Sequence, residues 1–237
     1  MVEKSKSDAI CLLPINTNED VGKSMWQELF ITVPDATNMT TEWAMSELVR
    51  NIEIMNNLKA EIAQVVGHER RMEESDMENL PYLHAVIQET LRLHPPAPLS
   101  IPRNVIKDIE VTGYLIPKGT QVWVNIWGIG RDPTTWEDPL SFNPERFLNS
   151  NIEYHGQNFE YLPFGAGRRI CPGLPLGPIM LHLVLGSLVQ SFDWSLGKAI
   201  IPETQDMDEK IKVTSRRASP LKVIPTQCKS ILHISKH

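Results

Sequence analysis

The sequence predicts a mainly α-helical protein with a small antiparallel β-sheet, an α+β arrangement. Apolar residues recur at helical spacing through most of the first third of the chain and again over residues 179–192. Residues 101–127 instead alternate short apolar runs with turn residues, which is typical of short strands. The length of 237 residues fits one or two domains of ordinary size.

The composition excludes several classes of protein. Hydrophobic residues make up 41% of the chain and charged residues 22%, which excludes a disordered chain. The net charge of -6 has the wrong sign for a nucleic-acid-binding protein. The three cysteines, Cys11, Cys171 and Cys228, form no C-x-x-C pair, so we expect neither a disulfide framework nor a cysteine zinc site. A reducing compartment is the best fit.

Two apolar stretches of the chain resemble targeting or membrane segments in part. The run from Ala9 to Pro14 is shorter than the apolar region of a secretory signal. The stretch 179–194 contains His182, Ser187 and Gln190, which interrupt the apolar run that a spanning helix needs. We therefore predict no export signal and no membrane segment in this chain.

The first third is predicted to be helical. Residues 35–66 contain neither Gly nor Pro and have apolar residues at helical spacing, which indicates one long helix or two in succession. Ser75 stands three residues before Glu78, a pattern that predicts a capping box at the start of a helix. The next helical pattern covers residues 80–93 and ends at two consecutive prolines.

The rest of the chain has a different pattern of apolar and turn residues. Residues 131–176 contain ten of the prolines and glycines and show little periodicity, so we expect a packed functional loop that is much longer than an ordinary connection. Residues 179–192 predict a helix that is buried on most sides. The remainder predicts short strands and loops.

The most informative segment, 163–173, places a single cysteine in a loop rich in glycine and proline, directly before a helix. A lone cysteine is most often a small buried packing residue. Here Gly165, Gly167 and Gly173 would allow the backbone to approach a flat ligand closely. The N–H groups of a following helix would stabilise a thiolate. This pattern favours a cysteine that binds a metal.

These residues spell F-x-x-G-x-R-x-C-x-G, and the chain resembles a cytochrome P-450. The fixed positions of the signature are Phe164, Gly167, Arg169, Cys171 and Gly173. The resemblance implies that Cys171 is the thiolate ligand of the iron of haem b, that Arg169 pairs with a haem propionate and that Phe164 packs beside the sulfur. A thiolate ligand favours O–O cleavage, and a guanidinium can hold a carboxylate bidentately.

A second motif of the family, E-x-x-R, is present as Glu89 and Arg92. By themselves, two such residues would most often be an exposed helical ion pair. Residues 143–147, Asn-Pro-Glu-Arg-Phe, resemble a further box of the family. The resemblance implies that Arg146 joins Glu89 and Arg92 in a buried structural network that locks the cysteine loop.

The resemblance also implies a second propionate ligand and a substrate pocket. Arg103 matches the family's arginine that reaches the second haem propionate. The preceding Ala97, Pro98 and Leu99 match the segment that lines the pocket, and their small apolar character suits a small apolar substrate. A plain loop is the alternative. Several segments look most like the plant microsomal branch that includes geraniol 8-hydroxylase, which implies terpenoid oxidation.

The chain departs from the family in the helix that activates oxygen, where residues 32–37 replace the usual motif. Val33 stands where the family has a flexible glycine, and Ala36 stands where it has a hydroxyl that helps deliver protons. Asp35 remains as the acidic member of the proton relay, and Thr37 is the candidate substitute for the hydroxyl. Asp35 and Thr37 are therefore the candidate catalytic residues.

The resemblance covers residues 26–226, which match the carboxyl-terminal half of the P-450 fold, and leaves residues 1–25 and 227–237 unassigned. It implies a monooxygenase that uses dioxygen and takes electrons from NADPH through a cytochrome P-450 reductase, on the cytosolic face of the endoplasmic reticulum. If this chain is the whole product, we expect a cytoplasmic protein. The rival hypothesis is a truncated, non-catalytic fragment with weak or no haem binding.

The altered segment 32–37 predicts a poorly coupled oxygenase. With proton delivery impaired, more reduced oxygen would leave as peroxide or superoxide than enter the substrate. The measurement is the amount of product formed per NADPH consumed in a reconstituted system. A product yield close to one per NADPH would contradict the hypothesis.

Overall fold

In the computed structural model, the described residues are 18–197, 201–211 and 214–228. The prediction that the first third of the chain is helical is confirmed from residue 18 onward. Helix α1 runs Asn18–Arg50, α2 Ile52–Val65 and α3 Pro81–Leu93. The region predicted as one helix or two thus contains the end of α1 and all of α2.

The break between α1 and α2 lies at Asn51, which has φ -110° and ψ 77°. Its backbone N–H donates to the Glu47 carbonyl at 2.9 Å, and its side-chain amide donates to the same carbonyl at 2.9 Å. Both donors therefore satisfy the last turn of α1 while the chain changes direction. Helix α2 then begins with its own first turn at Ile52.

The helices bury their apolar faces in one core. Leu48 of α1, Leu58 of α2 and Leu83 of α3 have no exposed surface, and Leu185 is 1% exposed. Leu185 belongs to α5, Gly177–Ser191, which confirms the predicted buried helix. Helix α5 packs against all three other long helices. Burial of an apolar side chain stabilises a fold by about 1.5–3 kcal/mol, so these contacts fix the helix arrangement.

The antiparallel strands predicted over residues 101–127 are confirmed, but they form two separate two-stranded ladders rather than one sheet. Strand β1, Arg103–Asn104, pairs antiparallel with β4, Gln121–Val122, and β2, Ile109–Val111, pairs with β3, Tyr114–Ile116. The turn that contains Gly119 separates the ladders. Its N–H donates to the Val105 carbonyl at 2.7 Å with φ +85°, a conformation that favours glycine.

The long segment 131–176 is packed against the core, as predicted. It contains two single turns of 3₁₀-helix, Pro144–Phe147 and Gly167–Arg169, joined by turns. Four aromatic side chains in it are buried: Trp136, Phe147, Tyr154 and Tyr161. The short α4, Ile126–Ile129, precedes it.

The predicted carboxyl-terminal strands are also present. Strand β5, Phe192–Leu196, pairs antiparallel with β8, Val223–Gln227. Strand β6, Glu209–Ile211, pairs with β7, Ser215–Arg217. Strand β5 contacts α1 and α5, and β7 contacts α1.

The capping box predicted at Ser75 and Glu78 is wrong. A 3₁₀-helix, Glu74–Asn79, begins one residue earlier, and the Glu73 N–H donates to Asp76 Oδ2 at 2.8 Å. Arg70 binds both Asp76 carboxylate oxygens, at 2.6 and 2.7 Å. The guanidinium lowers the pKa of Asp76 and holds it as the capping carboxylate.

Ile52 allows a test of the α1–α2 break. It is the first residue of α2 and is 61% exposed. Proline is well tolerated at this position because the N–H of the first turn has no partner within the helix. We expect Ile52→Pro to leave the free energy of unfolding unchanged or raise it by up to about 1 kcal/mol, measured by urea denaturation.

The matched control is Ala60→Pro, in the middle of α2 and also exposed. It removes an internal helical hydrogen bond and should cost about 3 kcal/mol or more. Equal losses for the two variants would contradict a helix start at Ile52.

Candidate functional site

Helix α3 carries a buried ion pair at the centre of the fold. Glu89 is fully buried, and Arg92 is 1% exposed. The Arg92 Nε donates to Glu89 Oε2 at 2.6 Å, and its Nη2 donates to Oε1 at 2.7 Å. The i, i+3 spacing places both side chains on one helix face, and the fork geometry makes the pair bidentate.

The same carboxylate binds the long segment. Arg146 Nε donates to Glu89 Oε1 at 3.1 Å, and the Asn143 N–H donates to the same oxygen at 2.8 Å. Arg146 also donates to the carbonyls of Glu137 and Asp138 at 3.0 and 3.4 Å. The structure therefore brings Glu89, Arg92 and Arg146 together as the resemblance implied.

The remaining Arg92 donors bind backbone carbonyls of the same region. They reach Pro139 at 2.8 Å and Ser141 at 3.1 Å, and also Gly130. A Cβ on Gly130 would lie 2.5 Å from the Arg92 carbonyl oxygen, so only glycine fits there. The indole of Trp136 lies 5.3 Å from the guanidinium as a cation–π partner.

The cysteine loop is closed by its own backbone. The Cys171 N–H donates to the Phe164 carbonyl at 2.9 Å, and the Ile170 N–H donates to the Gly167 carbonyl at 3.1 Å. Gly165 and Gly167 have φ +74° and +67°, values that favour glycine. A Cβ at either glycine would meet nothing within 4 Å. One face of the loop is therefore open at the backbone.

The cysteine is not placed at a helix N-terminus, so that expectation is wrong. Helix α5 begins only at Gly177, after a series of turns in which the Leu174 N–H donates to the Cys171 carbonyl at 3.2 Å. The Leu176 and Gly177 N–H groups both donate to the Gly173 carbonyl, at 3.1 and 2.7 Å, so the regular hydrogen-bond ladder starts only there. The Cys171 side chain is half-buried in the loop.

The two arginines predicted to pair with propionates, Arg103 and Arg169, are joined by one hydrogen bond. Arg103 Nη2 donates to the Arg169 carbonyl at 3.2 Å, which joins β1 to the cysteine loop. Both guanidiniums are exposed. This arrangement fits haem. The two guanidiniums can bind its carboxylates, the thiol can bind its iron, and the loop backbone is open at two glycines. Phe164 is half-buried within the same loop, and Gly173 accepts the N–H of Gly177 at 2.7 Å.

The predicted pocket segment follows α3. Pro98 is buried and its carbonyl accepts the Trp127 N–H at 3.0 Å, while Ala97 is half-buried and Leu99 is 43% exposed. The two candidate catalytic residues lie on α1, which continues through Pro34. Asp35 is exposed and Thr37 is half-buried. The side chains of Thr32 and Val33 lie outside the described side chains.

Sequence reasoning missed a second buried network, centred on His94. Its Nε2 lies 2.9 Å from a Glu47 carboxylate oxygen and its Nδ1 lies 3.0 Å from one of Glu209. The imidazole stacks on Trp43 at 3.9 Å between ring centroids. Glu209 also accepts from Trp127 Nε1 at 3.1 Å. Burial raises the pKa of the Glu209 carboxyl, but its contacts with His94, Arg131 and Trp127 together outweigh burial, so the pKa is lowered overall.

This network joins α1, the end of α3 and β6, so it fixes the start of the pocket segment. Its members are far apart in sequence and share no motif. His94 directly follows α3 and is 7% exposed. The only sequence signal for this network was a histidine placed directly after the end of a predicted helix.

A single-cysteine loop with two exposed arginines, together with a buried Glu–Arg–Arg network that binds the preceding part of the long segment, is typical of a haem-thiolate class of protein. The cytochrome P450 family model matches residues 17–223, and the chain belongs to the cytochrome P450 family. This membership confirms the fold class and the resemblance inferred from the sequence.

Two plant enzymes are similar to the chain. It is 54% identical to an iridoid oxidase of Catharanthus roseus over 84% of this chain and 38% of that protein. It is 52% identical to a geraniol 8-hydroxylase of Swertia mussotii over 85% of this chain and 41% of that protein. The chain therefore spans about two-fifths of the length of these relatives.

The fold is also similar to solved structures. A zebrafish cytochrome P450 solved with abiraterone superposes with a TM-score of 0.74 at 33% identity, over 82% of this chain and 44% of that chain. Among the residues whose structure is described, no helix combines the length and apolar character needed to cross a membrane.

We expect Glu89→Gln to cost about 3–5 kcal/mol of the free energy of unfolding, because it leaves the buried Arg92 guanidinium and the partly buried Arg146 guanidinium facing a neutral amide. The measurement is urea denaturation of the variant and the parent chain. Glu78→Gln, which makes the same change at an exposed position, is the control and should cost no more than about 0.5 kcal/mol. Equal effects would show that the buried network does not stabilise the fold.

Proposed function

We propose that this chain provides the thiolate side of a haem-thiolate monooxygenase that hydroxylates a small apolar compound, a terpenoid. The cysteine loop carries the proposal, because Cys171 lies in a loop that is closed by hydrogen bonds, open at Gly165 and Gly167 and joined to Arg103. Membership of the cytochrome P450 family supports it.

Bound haem supplies the iron at which dioxygen is activated. Cys171, as a thiolate, donates electron density to that iron. Arg103 and Arg169 bind the propionates, and their planar guanidiniums orient a carboxylate where an ammonium group would act only as a point charge. Phe164 covers the sulfur and excludes water from it. The network of Glu89, which binds both α3 and the long segment, keeps the loop in place.

The substrate class is proposed from the pocket segment and from the relatives. Ala97 and Leu99 expose apolar surface and the buried Pro98 lies between them in the chain, so this segment suits an apolar ligand. The matched relatives include an iridoid oxidase and a geraniol 8-hydroxylase. The names of both indicate terpenoid oxidation, so terpenols are the compounds to test.

The proposed proton path and partners follow the resemblance. Asp35 and Thr37 on α1 are the candidate relay groups, and Asp35 can exchange protons with solvent because it is exposed. An NADPH-dependent cytochrome P-450 reductase is the proposed electron donor. The cytosolic face of the endoplasmic reticulum membrane is the proposed location.

The first test is a carbon monoxide difference spectrum of residues 1–237, expressed with haem available and then reduced. We expect the red-shifted Soret band of a thiolate-ligated complex, because a thiolate donates more electron density than a neutral ligand. Cys171→Ser should abolish that band. Turnover with terpenols and a reductase then tests the substrate class.

Cys228→Ser is the matched control. Cys228 is also a half-buried free cysteine, but it follows β8 and lies next to Asp193. The control should keep the band. Loss of the band in both variants, or its survival in Cys171→Ser, would contradict the assignment of Cys171. No haem spectrum in the parent chain would favour the rival hypothesis of a non-catalytic chain.

A further inference from the structure

We propose that Gly156 is a positioning residue for the cysteine loop: the turn that contains it packs directly on the back of the loop, and only a hydrogen atom fits between them. The functional meaning of this inference rests on the proposed role of Cys171. The contact itself is a property of the described chain and is tested separately below.

The contact is made with backbone atoms. A Cβ added at Gly156 would lie 2.8 Å from the Gly165 carbonyl oxygen, 3.0 Å from Ala166 Cα and 3.2 Å from Ile170 Cδ1. Two of these three atoms belong to the main chain, so no change of rotamer relieves the contact. Gly156 also has φ +76°, which a residue with a side chain adopts only with strain.

The loop transmits a displacement at this contact to the cysteine. Gly165 is tied to the Leu162 carbonyl by its N–H at 3.0 Å. The loop closes where the Cys171 N–H donates to Phe164, the residue directly before Gly165. A shift of Gly165 and Ala166 therefore moves the acceptor that fixes the Cys171 backbone. A Cβ at Gly165 itself would meet nothing within 4 Å, so no neighbour packs on the Cα of this residue in that direction to resist the shift.

The turn that contains Gly156 cannot retreat instead. Tyr154, two residues earlier, is 8% exposed and packs edge-on against Phe164, with ring centroids 5.6 Å apart. Its ring also lies 5.6 Å from that of His84 on α3. Burial raises the pKa of Tyr154 to about 12, so the phenol stays neutral in this contact. The turn is thus fixed to the core, and an added methyl group must displace the loop.

Two other glycines serve as matched controls. Gly67 has almost the same backbone conformation, φ +78°, but a Cβ there would meet nothing within 4 Å. Gly67→Ala therefore reproduces the backbone strain without the contact. Gly186, in the interior of α5, has no positive φ, but a Cβ there would clash with the Met72 sulfur. Gly186→Ala therefore reproduces overpacking in the core away from the loop.

The first measurement is hydrogen exchange of the haem-free chain, followed on peptides that cover residues 164–174. We expect Gly156→Ala to exchange roughly tenfold faster in this segment, because overpacking by one methyl group weakens the hydrogen bond of Cys171 by that order. Gly67→Ala and Gly186→Ala should leave the segment unchanged relative to the rest of each variant.

The second measurement is the carbon monoxide difference spectrum of the haem-loaded chain. In Gly156→Ala, at equal haem content, we expect the thiolate-type Soret band to fall several-fold in favour of a band at shorter wavelength. Both controls should keep the parent spectrum. A merely structural glycine would lower stability in the same way as Gly186→Ala without changing this spectrum.

The outcomes separate the two proposals. If Gly156→Ala matches Gly67→Ala in both measurements, the positioning role is wrong and the role of Cys171 stands. If the parent chain shows no thiolate-type band, the proposed function is wrong. In that case the exchange comparison still decides whether Gly156 positions the loop.

Discussion

The Glu89 carboxylate is the group on which the rest of this structure depends. It accepts hydrogen bonds from Arg92 on its own helix and from Arg146 and the Asn143 N–H in the long segment. A buried carboxylate is stable only when such partners replace its water. The long segment has little regular structure, so these directional contacts, together with packing of its aromatic side chains on α3, fix its position. The buried negative charge of Glu89 therefore fixes the position of the long segment.

The cysteine loop is held from two sides by different kinds of interaction. Arg103 reaches it through the Arg169 carbonyl, a long polar contact that tolerates small movements. On the other side, the backbone of the loop touches the turn at Gly156 without any intervening side chain. Close packing of backbone atoms has little freedom to relax, because neither partner can change rotamer. The second contact therefore sets the position of the loop more tightly than the first.

A separate network holds the segment after α3. His94 joins Glu47 and Glu209, and the carbonyl of Pro96 accepts the Ser215 N–H at 2.9 Å. The proposed pocket residues Ala97, Pro98 and Leu99 thus begin at a point fixed to α1, β6 and β7. The long segment and the proposed pocket segment are therefore positioned by two buried networks, one centred on Glu89 of α3 and one on His94, which directly follows α3.

The sequence by itself determined the helices, because their apolar period is local, and it determined the candidate site, because Phe164, Gly167, Arg169 and Cys171 are close together along the chain. It also predicted the partners of Glu89 through motifs. Only the tertiary structure decided the separation of the two ladders, the true start of α5, the His94 network and the contact at Gly156. These depend on residues such as Glu47 and Glu209 that are distant in sequence, and on the space left between packed backbones. A periodic pattern records which face of an element is apolar, but it does not record which other element lies against it or how closely.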